Sequence, residues 1–381
     1  MKQLLIAVAL LGPLVLSAGP AARAQDQIHH FDRKTQTNLV TKGTITEETP
    51  AKVTYRKAGG KPADLESIPA ADITDIEYLV KDDDKFEKLD WNKAHSKLRQ
   101  ARAAAKPAER KKLLETALEL LRELAPKVTD KKPLNRDVQF SIAEALALQS
   151  EDDPKQLDAA VDALQKFRKD FGDGWQLVKA TKLHVRLLEQ KGDEAGAQAV
   201  YAELTDNEAA PKEVRQEFGL LRVRYLLRKG KHDEAATKAR AVQKGMAADD
   251  PQAMKLTVYL AACDIAGRKY DAVEKELKAV LEGGADNDVK ALARNTLGDY
   301  YRAQGQGDKA FWEYLWVDVH YNQDREELAR ALYNLSRLFA DVRKDPVRAK
   351  ECLERLCDEK QFGGAEYHRK ALAEKSPGGN N

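Results

Sequence analysis

Four glycines constrain this chain more than any other feature. Gly192, Gly230, Gly267 and Gly305 recur at separations of 38, 37 and 38 residues, and each is followed five residues later by alanine, at Ala197, Ala235, Ala272 and Ala310. A period of this length marks one supersecondary unit per repeat, and such a unit buries its apolar face only against its neighbours. Between the glycines, apolar residues recur at three and four in segments broken by Gly, Asp or Pro, the spacing of amphipathic helices. Glycine supplies a tight turn between two helices and alanine lets them approach closely. A second echo pairs Phe171-Gly172 and Ala180 with Phe362-Gly363 and Ala371, offset by 191 residues or five periods, which carries the array to the end of the chain.

The pattern predicts seven helical hairpins centred near Lys106, Asp152, Lys191, Lys229, Arg268, Gln306 and Lys344, with a capping helix over 364–374. Within it, Leu297-Gly298-x-x-Tyr301, Gly305 and Ala310-x-x-x-Tyr314 match the small and aromatic positions of the tetratricopeptide repeat, and Ala197 with Tyr201 repeats part of the match. The chain resembles a divergent tetratricopeptide solenoid with repeats of about 38 residues against the usual 34. It departs from that pattern at Arg294, where tryptophan is expected, and at Asn322, where a closing proline is expected. The resemblance implies a mainly all-α fold, a right-handed α-α superhelix whose first helices line a concave groove that holds a partner's peptide or helix.

Ahead of the array the pattern changes. Lys2, an uncharged run from Leu4 to Leu16 and Ala22-Arg23-Ala24 form a cleavable export signal over 1–24, too short and too broken by Gly12-Pro13 to span a bilayer. The mature chain is expected to begin at Gln25, in the periplasm or secreted, with a solvated arm over 25–37. From Asn38 the apolar residues alternate, with Leu39, Thr41, Gly43 and Ile45 against Val40, Lys42, Thr44 and Thr46, then Val53 and Tyr55, then Ile68, Ile73 and Ile76. This predicts a small β segment over 38–80, which resembles Sm-like or SH3-like small barrels. So small a unit has a marginal core and is expected to dock on the helical array. Residues 81–89, with Asp82-Asp83-Asp84, read as a solvated linker, 90–375 as the repeat domain and 376–381 as a disordered tail.

Charge excludes some partners. The chain has 64 Lys+Arg and 62 Asp+Glu; the signal removes Lys2 and Arg23, leaving 62 of each, so no global basic field exists for nucleic acid. Stable membrane insertion is not expected either. Cys263, Cys352 and Cys357 are too few for a disulfide framework and read as free thiols. The seven histidines carry no metal-ligand spacing, and His29-His30 belongs to the solvated arm. Asn334-Leu335-Ser336 falls inside a predicted helix, which disfavours glycosylation. No nucleophile elbow, phosphate loop or dinucleotide fingerprint is present, so the reading is a non-enzymatic protein with no cofactor or metal. Lytic transglycosylases share such helical arrays but need a separate catalytic domain, for which no segment is left.

Two surfaces stand out as candidates. Groove positions carried over from the tetratricopeptide resemblance fall on Lys179, Lys182, Arg186, Arg224 and Arg228, and farther along on Asn295, Asp299, Arg302, Arg330 and Arg337. The first part is basic, against a plainer reading in which these cations pair with acids such as Glu189. Leu221, Met254 and Val258 stand where a chaperone-binding carboxylate clamp needs polar groups. The second surface lies on the second helix of the sixth hairpin, where Ala310, Tyr314, Val317 and Tyr321 form the expected internal seam and Trp312, Trp316 and Val319 lie nearly opposite. The expectation is that the seventh hairpin or the β segment covers these tryptophans. The functional reading is an exported scaffold holding a protein or peptide partner, with an acidic envelope glycan as the alternative ligand.

Overall fold

The computed structural model describes residues 25–375 apart from 33, 34, 36, 58, 62, 83, 84, 209 and 364. The export signal, the tail and most of the aspartate triplet lie outside the described residues. Helices pair as hairpins α1 (Lys88–Ala103) with α2 (Pro107–Leu124), α3 (Lys132–Asp152) with α4 (Leu157–Asp170), and α5 (Gln176–Lys191) with α6 (Glu194–Thr205). They continue with α7 (Lys212–Arg228) and α8 (His232–Gln243), α9 (Pro251–Ala266) and α10 (Val273–Glu282), α11 (Asn287–Ala303) and α12 (Gly307–His320), and α13 (Arg325–Asp341) and α14 (Pro346–Leu356). A short α15 (Glu359–Phe362) and α16 (Glu366–Lys375) close the end, both packed on α13. The described residues therefore form a helical solenoid of seven hairpins and a cap.

Local chemistry explains where the helices start and turn. Asp193, Asp250, Asp286, Asp324 and Asp345 each accept a backbone N–H at the start of the following helix, replacing one of the partners a helix end lacks. Gly192, Gly230 and Gly305 take left-handed φ of 81°, 71° and 72° at their turns. The fifth hairpin departs from the expected pattern: Gly267 has a φ of −78°, and Arg268 takes the left-handed position at 57°. Lys344 does the same in the seventh, at 54°.

Packing follows the repeats. One apolar cluster joins hairpins two to four and reaches α9 through Leu256 and Cys263, while a second begins at Val258 and Ala261 and runs to Ala349. Ala310 is fully buried, and a Cβ added at Gly298 would stand 2.7 Å from the Tyr314 ring, so the sixth hairpin closes on two small residues. The cysteines are free, with Cys263 buried and Cys357 just beyond α14. Asn334 is buried within α13.

The N-terminal part corrects the reading of an arm. Residues Asp26–Asp32 form β1, followed by β2 (Thr37–Glu48), β3 (Lys52–Lys57), β4 (Leu65–Pro69), a 3-10 turn (Ala70–Asp72) and β5 (Ile73–Glu77). The antiparallel sheet has the order β4-β3-β2-β1-β5, which places β1 inside it, with Ile28 wholly buried. His29 and His30 are thus strand residues, and His30 Nε2 lies 2.9 Å from Thr41 Oγ1. The sheet's core is completed from outside: Trp175, just before α5, packs among Ile28, Val53, Tyr55, Ile68 and Ile76. The segment read as a solvated linker is also packed. Val80 and Phe86 are buried with Trp91, α1 begins at Lys88, and the backbone N–H of Lys88 donates to Asp82 at 2.8 Å.

Candidate functional site

The first helices are tied to one another by a polar ladder built from the predicted groove residues. Lys179 pairs with Glu144 at 3.0 Å, Arg186 with Glu151 at 2.8 Å, Lys182 with Glu217 at 3.2 Å and Arg228 with Glu189 at 2.9 Å. Each pair joins one first helix to the next. The same device recurs farther along, where Asn295 donates to the Glu327 carboxylate at 2.8 Å, Arg330 pairs with Asp299, and Arg302 donates to Asn334. Asn295 is wholly buried, so it links α11 to α13 and offers nothing to a ligand. Arg337, itself exposed, pairs with Glu374 of α16. The plainer reading of these cations, with Glu189 as a partner, is the one the geometry matches.

The β unit packs against the first helices of the first three hairpins. Arg136 of α3 is buried against Glu48 of β2, and Glu48 accepts from the Tyr78 hydroxyl at 3.0 Å while Trp175 donates to that oxygen at 3.1 Å. Arg102 of α1 bridges Asp75 of β5 at 3.3 Å and Glu144 of α3 at 2.5 Å, and Lys179 donates to the Thr74 carbonyl at 3.3 Å. Burial raises Glu48 above the usual carboxylate range despite Arg136 and Tyr78. Burial and the nearby acids Asp75 and Glu48 push Asp137 well up, and burial lowers its neighbour His95, 3.4 Å away, to about 4. Glu144 would be raised by burial, but Lys179 and Arg102 hold it down. Sequence reasoning missed this network because the glycine and alanine anchors that located groove positions begin only at the third hairpin.

Arg224 breaks the ladder. Among the described residues no carboxylate lies at ion-pair distance from it. Burial would lower it, but Tyr259 of α9 and the acids Glu327, Asp324 and Glu326 of the α13 start raise it. On α9 Tyr259, Leu260 and Met254 are half-buried and Val258 is fully buried, and Asp264, the acid of that helix, makes no ion pair with Arg224.

The sixth hairpin corrects the second expectation. Ala310, Tyr314 and Val317 are buried as the seam, yet Trp312 is 55% exposed, Trp316 40% and Val319 56%. Neither the seventh hairpin nor the β unit covers them. A guanidinium stands by each indole: Arg294 lies 5.0 Å from the Trp316 ring and Arg343 5.7 Å from Trp312, the latter also 4.3 Å from Phe311. His320 lies 4.4 Å from Trp316, and Glu313 holds Arg294 at 2.7 Å. The patch is therefore a pre-set aromatic and arginine surface on the outward side of α12.

Among the described residues, no helix is long and apolar enough to cross a membrane, and no group of three or more His, Cys, Asp or Glu could hold a metal ion. No family model and no curated protein matches the chain. Among solved structures, it is similar to a tetratricopeptide repeat protein from Parabacteroides merdae, 13% identical with a TM-score of 0.47 over 74% of this chain and 98% of that one. Part of a TPR repeat-containing protein from Cytophaga hutchinsonii is 13% identical, with a TM-score of 0.38 over 74% and 99% of the two chains. PilF of Pseudomonas aeruginosa is 15% identical, with a TM-score of 0.35 over 63% and 99%. These likenesses carry no residue role or partner to this chain.

Proposed function

We propose that the protein is an exported, non-enzymatic scaffold that binds a protein partner through the Trp312, Trp316 and Val319 face of α12. The observation that carries this reading is the exposure of two tryptophans one turn apart on α12, opposite its buried seam. Exposed Trp and Arg in one patch is the composition of interface hot spots, where each large side chain buries much apolar area on contact. The cations already stacked on the indoles hold the rings in place, so less rotamer freedom is lost when a partner arrives. Export is carried by the sequence of residues 1–24 alone.

The groove is a weaker seat for the partner than its sequence implied. An acidic glycan lying along the first helices would have to displace Glu217, Glu151 and Glu189 from three cations together. A photo-reactive residue at position 319 should yield a crosslinked partner from the protein's own envelope fraction. Adducts formed from position 224 and absent from position 319 would move the partner into the groove and overturn the proposal.

A further inference from the structure

A cleft of about 470 Å³ opens where the β unit meets the solenoid. Its charged walls come from three elements: Arg99 and Arg102 of α1, Lys179 and Lys182 of α5, and Asp75 of β5, with His29 of β1 beside them. Four cations thus face one carboxylate. Glu77, Glu144 and Glu217, which pair with these cations, are not among the lining residues. Ile73 and Val178 supply an apolar part of the wall. A volume of this size at a junction between two units is the setting in which small ligands are commonly held.

The four cations differ in how firmly they are committed. Arg102 and Lys179 are fixed by Glu144, Asp75 and the Thr74 carbonyl. Arg99 meets Glu77 at 3.4 Å and Lys182 meets Glu217 at 3.2 Å, both cations about 40% exposed. Solvated pairs of this kind contribute little and exchange readily. An arriving anion can take Arg99 and Lys182 from their acids without dismantling the interface, because Arg102 and Lys179 stay on Glu144, Asp75 and the Thr74 carbonyl.

We infer that this cleft binds a carboxylate carried on a short apolar body, the carboxylate between Arg99 and Lys182 and the apolar part against Ile73 and Val178. The chemistry is shared by a free short-chain carboxylic acid and by the C-terminal residue of a peptide. The inference is independent of the tryptophan face.

Isothermal titration of the purified protein with hexanoate and with N-acetyl-leucine tests it, using hexylamine and N-acetyl-leucinamide as probes of equal apolar size without the negative charge. Saturable binding of one equivalent of at least one carboxylate, at least tenfold tighter than its uncharged or cationic counterpart, is expected. A stronger response to hexanoate identifies a free acid as the source, and a stronger response to N-acetyl-leucine identifies a chain terminus. The combined Arg99→Gln and Lys182→Gln variant should weaken binding at least tenfold, whereas Arg186→Gln, which breaks a similar solvated pair outside the cleft, should leave it unchanged. Circular dichroism of each variant establishes that the fold is kept. Equal binding of hexanoate and hexylamine, an unaffected double variant, or no saturable carboxylate binding at millimolar concentration would each overturn the inference.

Discussion

The first helices of hairpins one to four and the exposed face of α12 in hairpin six solve opposite problems. On the first helices Lys179, Lys182, Arg186 and Arg228 each meet a carboxylate of a neighbouring first helix, and the β unit packs on these helices through buried pairs such as Arg136 with Glu48. On α12 the charged groups are also paired, through Arg294 with Glu313 and Arg343 with Asp308, but Trp312 and Trp316 are left without cover. A buried ion pair stabilises little beyond what its desolvation costs, yet losing one partner is severe. An exposed indole costs the fold little and is the group that gains most from a partner. The ladder therefore reads as structure and the tryptophan face as function.

The largest effect that would break this contrast is at the front. Arg136→Met should destabilise the protein by about 3 to 5 kcal/mol, because it leaves Glu48 buried and uncompensated. Hydrogen exchange should rise through β1 to β5 and the first three hairpins while α11 to α14 remain protected; a uniform rise would mean that the chain behaves as one core. Adding Glu48→Gln should restore part of the loss.

The second concerns pH. His184 is buried, accepts from Arg168 at 3.2 Å, and is lowered by burial and by Arg168 from its usual 6.5 to about 4. A depressed histidine stabilises fully above its unfolded value, and that contribution is lost as pH falls through the window from 6.5 to 4. It amounts to on the order of 3 kcal/mol. Denaturation of wild type and His184→Gln at pH 7 and 4.5 should show the difference between them shrinking toward the acid side; a constant difference would contradict it.

At the other end, Ala310→Leu should overpack the sixth hairpin against α11 at about 1 to 3 kcal/mol and loosen hairpins five to seven, leaving the front protected. Smaller still, Arg268→Gly should stabilise by up to about 1 kcal/mol, since it relieves a left-handed side-chain residue at the cost of glycine's greater unfolded freedom. A thermal melt with no gain would mean that the turn is not strained.

How much of this is legible in the sequence depends on what each feature does to periodicity. The hairpins are readable because close helix approach demands small residues at fixed places, as at Ala197, Ala235 and Ala310, all fully buried. The turn at Gly267 is misplaced by one residue because a left-handed position tolerates Arg268 at modest strain. The strand β1 reads as an arm because its register against β5 shifts between His29 and His30, which breaks the alternation that marks a strand. The acids opposite the groove cations sit a full repeat away, so a single helix cannot reveal that Lys182 meets Glu217 or Arg228 meets Glu189. Cover over the tryptophans is the natural expectation because a helix apolar on both faces is commonly buried twice, and only the packing of α12 reveals that one face is not.

The most direct test of the central claim compares two double variants in stability and in affinity for the partner captured at position 319. Trp312→Ala with Trp316→Ala should change unfolding free energy by no more than about 1 kcal/mol per residue, as expected of side chains half in solvent, and should weaken partner binding about tenfold or more. Arg224→Glu with Arg228→Glu should leave that affinity within about threefold, because the proposed contact face on α12 does not include them. Tryptophan variants that lose about 3 to 5 kcal/mol of stability, or that keep full affinity while the arginine variants lose it, would contradict the account.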